Sequence, residues 1–178
     1  MTLIRKKETL FRVNDIVLNR ESVTLDNGFE TDTVLIHHPG AAAIVPFLDD
    51  NMIILIRQYR HAVGKYLWEI PAGTMNSRED PASCARRELT EETGYEAHDW
   101  QRVGVVIPAP GMSDEHIYIY KAAGLVRSEQ CLERDEIIEV HAVPFSRAIA
   151  MIREETIIDS KSVCALLLIN DRETSVFT

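Results

Sequence analysis

Cysteine is scarce in this sequence: three residues in 178, Cys84, Cys131 and Cys164. An odd number without metal-site spacing excludes a disulfide framework and a zinc ribbon, and it points to reduced, packed thiols. Long hydrophobic runs are missing too. No apolar stretch approaches the roughly 20 residues that span a bilayer, and residues 1–8 hold nothing resembling the core of a signal peptide. The expectation is a soluble, cytoplasmic protein with no membrane partner. Clustered positive charge is equally sparse, because 19 Lys and Arg face 28 Asp and Glu for a formal charge of −9, and the only basic run is Arg5-Lys6-Lys7. Nucleic-acid affinity rests mainly on clustered cations, so no nucleic-acid partner is expected. An acidic chain can still bind phosphate, but then it needs local arginine or a divalent metal.

What is present describes an ordinary globular chain, with 46% apolar and 26% charged residues, which excludes intrinsic disorder. The length fits one domain carrying at most a small appendage. Residues 11–18 and 23–25 read as short strands, followed by Asp26-Asn27-Gly28 and a further run at 31–36. Asn-Gly between alternating apolar runs is a hairpin signal, because the turn needs positive φ. This β appendage, residues 1–38, is too small to stand alone. The main domain, residues 39–178, begins with near-continuous apolar runs at 43–47 and 52–56 around Asp49-Asp50-Asn51, which predict a buried hairpin. A helix is expected from Asp80, with Asp as N-cap, Pro81 at the first position and Gly94 as its stop. Strands at about 101–107 and 115–123, then helices around Phe145–Ile152 and Val163–Ile169, complete an α/β chain with a mixed sheet covered on both faces.

The Asp80 helix carries the chemistry. Glu88, Glu91 and Glu92 stand at i, i+3 and i+4 and share one arc about 100° wide, while Ala82, Ala85 and Leu89 occupy the neighbouring arc. The like-charge pair Glu88 and Glu92 costs about 0.2–0.5 kcal/mol, and the C-terminal end of the helix dipole also disfavours anions. Arg87 reaches Glu91 at i+4, which leaves Glu88 and Glu92 as paired hard oxygen ligands of the kind Mg²⁺ or Mn²⁺ prefers. A solvated charged face is the alternative reading.

The wider spacing decides between them. Gly73, five residues, Glu79, seven residues, Arg87-Glu88-Leu89, one residue, Glu91-Glu92, one residue and Gly94-Tyr95 resembles the Nudix box, the signature of hydrolases that cleave nucleoside diphosphates linked to another moiety. Tyr95 departs from it, being aromatic where the last position is usually aliphatic. Arg57-Gln58-Tyr59-Arg60, the run from Trp68 to Gly73, the Pro110 segment fifteen residues after Tyr95, and Asp159-Ser160-Lys161-Ser162 are similar to ADP-ribose pyrophosphatases of that family. The implied fold is the Nudix α/β/α sandwich with a mixed sheet and a small N-terminal β-domain.

The resemblance implies metal ligation by Glu88, Glu91, Glu92 and the Ala72 carbonyl, with Arg87 orienting a ligating carboxylate. Glu79 either pairs with an arginine or acts more directly. Arg57 and Arg60 would suit substrate phosphates, and Glu115 resembles a position that holds the terminal ribose. Glu133 matches best as general base, with Glu136 as its alternative. Tyr66 and Trp68 either stack on adenine or fill a core or interface, and His37-His38 reads as a turn. The implied activity is Mg²⁺-dependent hydrolysis of a nucleotide-sugar, ADP-ribose or a related ADP-sugar, to AMP and a sugar phosphate. Another nucleotide-sugar or dinucleotide, such as GDP-mannose or FAD, is the runner-up, and a non-catalytic nucleotide sensor is the rival from another class. A homodimer through the N-terminal appendage is also implied.

Overall fold

The structure, a computed structural model, describes residues 2–134 and 136–175. Strands β1 (Leu3–Val13), β2 (Ile16–Thr24) and β3 (Glu30–His37) form an antiparallel sheet in that order. Its second turn lies at Asn27-Gly28, with Gly28 at φ 82°. Residues 11–18 are not one strand, because the chain reverses at Asn14-Asp15, where Asn14 takes φ 50°. Asparagine tolerates this left-handed conformation because its short side chain can bond locally.

The expected hairpin of residues 43–47 and 52–56 also fails to form beyond a single bridge, Phe47 to Ile53. Strand β4 (Ala41–Pro46) instead lies between β7 (Ala72–Thr74) and β9 (Ile117–Arg127), and β8 (Tyr95–Val106) closes that four-stranded sheet. Strand β5 (Met52–Arg60) lies between β6 (Lys65–Glu69) and β10 (Ile138–Pro144) in another. Both runs are apolar throughout because each is the inner strand of its own sheet, flanked and covered on every side. The β4–β9 pair is parallel and its sheet otherwise antiparallel, so the mixed sheet is observed.

Alternation along β4 builds the layers. Ala42 and Ile44 pack with Tyr120 and Ala122 against helix α1 (Pro81–Thr93). Ala41, Ala43 and Val45 face the opposite way, toward Ile53 and Leu55 of β5 and toward helices α2 (Phe145–Arg153) and α3 (Ser160–Ser175). The result is an α/β/α sandwich. Helix α1 begins and ends where its chemistry dictates: the Asp80 carboxylate accepts the N–H groups of Ala82 and Ser83 at 3.0 and 3.1 Å, and Gly94 takes φ 68° at the other end. No helix among the described residues is long and apolar enough to cross a membrane. All three cysteines are free; Cys84 is buried, but Cys131 is exposed rather than packed.

Candidate active site

The core sets the rotation of α1. Cys84, Ala85 and Leu89 are fully buried beneath it, and burying one leucine contributes about 1.5–3 kcal/mol, several times the cost of a like-charge pair on the helix. The carboxylate arc is thereby forced against the edge of the sheet rather than into water. Glu88 is 6% exposed and Glu92 1% exposed, while Glu91 is more open. A solvated face is excluded for Glu88 and Glu92.

One arginine serves three carboxylates. Arg87 grips Glu79 through two bonds of 2.9 Å, and its Nη1 donates to Glu88 at 2.6 Å and to Glu91 at 2.8 Å. Glu79 therefore takes the arginine-pairing alternative, and this pairing holds its carboxyl below the usual range. Among the described residues, the Glu92 carboxylate receives only a backbone N–H, from Ala72 at 2.8 Å. Burial pushes the Glu88 carboxyl up to about 7 against the pull of Arg87. Burial and then the neighbouring charge of Glu88 push Glu92 well above the ordinary carboxylate range. These are buried acids with too little positive charge around them.

Strand β7 supplies the opposing wall. A Cβ on Gly73 would overlap both oxygens of the Glu88 carboxylate, so the box begins with glycine because the side chain of Glu88 lies directly on its backbone. The Ile44 N–H bonds Pro71 O at 2.9 Å, and Ala43 faces Ala72 in the register. Bonded and non-bonded pairs alternate in an antiparallel ladder, so the Ala72 N–H and C=O both turn away from β4, toward Glu92. Glu88, Glu91, Glu92 and the Ala72 carbonyl are hard oxygen donors of the kind Mg²⁺ or Mn²⁺ takes, but among the described residues no three acidic side chains are gathered closely enough to form a metal-binding cluster as they stand.

Residues 69–72 are anchored from behind. Glu69, 1% exposed, accepts two bonds from Arg60 at 2.8 and 2.7 Å and another from Lys161. Burial raises its carboxyl, but these cations outweigh that and hold it low. Lys161 also meets Asp159 at 2.9 Å, and Ser162 Oγ donates to Asp159 while accepting the Ile70 N–H.

The carboxylates border a cavity of about 410 Å³. Its far side is the segment after β9, which docks on the unsatisfied carbonyls at the end of α1. Ser128 N–H bonds Gly94 O, Cys131 N–H bonds Glu91 O, and Gln130 Nε2 bonds Glu92 O. This brings both base candidates, Glu133 and Glu136, to the cavity, with the Glu133 N–H on the Glu136 carboxylate at 2.8 Å. Asp135 lies outside the described residues.

The two strand arginines separate. Arg60 lines the cavity, whereas Arg57, three residues earlier, emerges on the other face of β5, pairs with Glu139 at 3.2 Å and lies over the Tyr66 ring at 4.7 Å. Alternating strand geometry does not allow both to point one way. Glu115 is not on the cavity wall either; it approaches His38 at 3.7 Å. The Pro110 segment meets β3 instead, where Met112 O accepts the Ile36 N–H. Tyr66 contacts Tyr59, and the partly buried Trp68 contacts His141. His37 bonds Glu21 and Asp114. Sequence reasoning missed Gln58 and the Asn14-Asp15 turn, both on the cavity wall. The signals were a polar residue sharing the strand parity of Arg60 and an Asn-Asp pair interrupting an apolar run.

The NUDIX domain family matches residues 37–166, and the chain belongs to the Nudix family of hydrolases. Over 169 residues it is 31% identical to the ADP-ribose pyrophosphatase of Bacillus subtilis (strain 168), covering 94% of this chain and 91% of that one. A second relative, the methanol dehydrogenase activator of Bacillus methanolicus, is 36% identical over 163 residues, covering 90% and 88%. The fold superimposes on a crystal structure of an ADP compounds hydrolase with a TM-score of 0.86 at 22% identity, covering 98% of this chain and 95% of the other.

Proposed function

We propose that the chain hydrolyses the pyrophosphate bond of ADP-ribose or a related ADP-sugar, giving AMP and a sugar phosphate. The observation that carries this reading is the buried pair Glu88 and Glu92 at the cavity wall, short of positive charge and built from oxygen ligands. Glu88, Glu91, Glu92 and the Ala72 carbonyl would hold Mg²⁺ or Mn²⁺, which when bound neutralises diphosphate oxygens and lowers the pKa of water. Arg87 fixes the directions of Glu88 and Glu91. Arg60, held flat by Glu69, turns its remaining N–H groups to an incoming phosphate. Glu133 accepts the proton of the attacking water from its docked loop, with Glu136 beside it. No covalent intermediate is needed.

Similarity to an ADP-ribose pyrophosphatase over nearly the whole chain supports this substrate class. The relative named for activating another enzyme keeps the nucleotide sensor as the second reading. The N-terminal sheet exposes Leu3, Phe11 and Phe29 by 64%, 65% and 62%, and a second copy of the chain is the proposed cover. The test is AMP release from ADP-ribose with Mg²⁺ by wild type and Glu92→Gln. The variant should lose at least about a hundredfold, since even partners of metal ligands are worth 10–100-fold. Tight ADP-ribose binding with no metal-dependent turnover by wild type would establish a sensor instead.

A further inference from the structure

Among the described residues, Gln58 Oε1 is a buried side-chain oxygen without a hydrogen-bond partner. Gln58 is 6% exposed and lies on the wall of the carboxylate cavity. On β5 it shares a face with Ile56, which is fully buried, and with Arg60, which reaches the same cavity. The segment carrying Glu136 crosses beside it, where the Tyr59 N–H bonds Ile137 O at 3.1 Å. An apolar side chain here would extend the core at no such cost, whereas a buried acceptor left unpaired carries the full desolvation penalty.

Among the described residues, no neighbouring side chain donates to it. Arg60 donates to Glu69, and Arg87 donates to Glu79, Glu88 and Glu91. Glu133 and Glu136, as carboxylates, only accept. The cavity that Gln58 borders is where a ligand can bring a donor to it. Ionised phosphates are acceptors, so the donors of an ADP-sugar are its ribose hydroxyls and the adenine amino group; Gln58 lies on the same wall as Arg60, where phosphate is proposed to bind, and the riboses rather than the base flank the phosphates.

We propose that Gln58 binds substrate, its Oε1 accepting a hydrogen bond from a ribose hydroxyl of the nucleotide-sugar; this rests on the pyrophosphatase reading above. A site built around such a bond discriminates strongly against analogues lacking the hydroxyl, because the acceptor then stays unpaired.

Wild type, Gln58→Met and Gln58→Leu are compared with Mg²⁺ on three substrates. These are ADP-ribose, the ethyl ester of ADP, which lacks the terminal ribose, and ADP-ribose built on 2′,3′-dideoxyadenosine. Both variants should lose about tenfold in kcat/KM on ADP-ribose, as expected for one hydrogen bond to substrate, and lose nothing on one of the two analogues. That analogue names the ribose concerned. Mn²⁺ affinity of the substrate-free protein, read by electron paramagnetic resonance, should be unchanged. Equal losses on all three substrates, or none on ADP-ribose, overturn the proposal; so does weakened Mn²⁺ binding, which would assign the donor to metal-bound water. Wild type inactive on all three overturns the pyrophosphatase reading and this inference with it.

Discussion

Raising the pH should destabilise the metal-free protein, and Mg²⁺ should reverse the loss. The folded state holds the Glu88 proton up to about 7, against an ordinary value of 4.5, chiefly because the carboxyl is buried. Between those values the folded chain binds more protons than the unfolded one, so unfolding free energy falls as pH rises. The full difference is about 3 kcal/mol from Glu88 alone, and Glu92 acts in the same direction. Glu69, Glu79 and Asp114 are held below their ordinary values, so their opposite slope is confined to more acidic solution. For a chain of this size, that free energy corresponds to a drop in Tm of about 6–12 °C. Thermal unfolding in EDTA from pH 5 to pH 8.5 should show the drop, and Glu88→Gln should flatten it. Mg²⁺ at a hundred times its Kd should return about 2.7 kcal/mol, with more effect at pH 8 than at pH 5. Superimposable profiles for wild type and Glu88→Gln, or a Mg²⁺ effect independent of pH, would refute the reasoning.

Gly73→Ala should weaken Mn²⁺ binding by about 10–100-fold, because its Cβ displaces the Glu88 carboxylate; wild-type affinity in a binding titration would contradict that packing. Glu133→Gln should lower kcat on ADP-ribose by about 10²–10⁴ with little change in KM, and Glu136→Gln should cost far less. The reverse order in steady-state kinetics would transfer the base to Glu136. Phe11→Asp, at an exposed position of β1, should convert a dimer to a monomer in light scattering, and a wild-type monomer would remove the proposed role of the N-terminal sheet.

Helix α1 was legible because its signals are local. Asp80, Pro81 and Gly94 each act within one turn of chain, and the spacing of Glu88, Glu91 and Glu92 fixes a shared arc whatever surrounds the helix. The turn at Asn14-Asp15 was equally local but lacked glycine, the usual mark of positive φ, and so residues 11–18 read as one strand. Strands β4 and β5 failed for a different reason. A run buried on both faces has lost the alternation that tells which way it faces, and nothing in it names its partner, so proximity along the chain suggested a pairing that the two-sheet architecture does not use.

The site divides along the same line. Strand parity alone separates Arg57 from Arg60, and Gln58 from Arg57, and the expectation that both arginines meet phosphate runs against it. The anchor of residues 69–72 was not available at all, since Glu69 and Lys161 stand 92 positions apart and neither has a local pattern that calls for the other. Yet this anchor decides how the local motif works. Lys161 shares the Glu69 carboxylate with Arg60 and also meets Asp159, so two cations balance two carboxylates, and Arg60 is held in place with its remaining N–H groups free of this anchor. Across that cavity Arg87 is divided among three carboxylates, and among the described residues no cation is bonded to Glu92. One wall thus presents a positioned guanidinium suited to phosphate and the other a cation deficit suited to metal. A metal-bound diphosphate, the complex proposed above, would satisfy the two walls together.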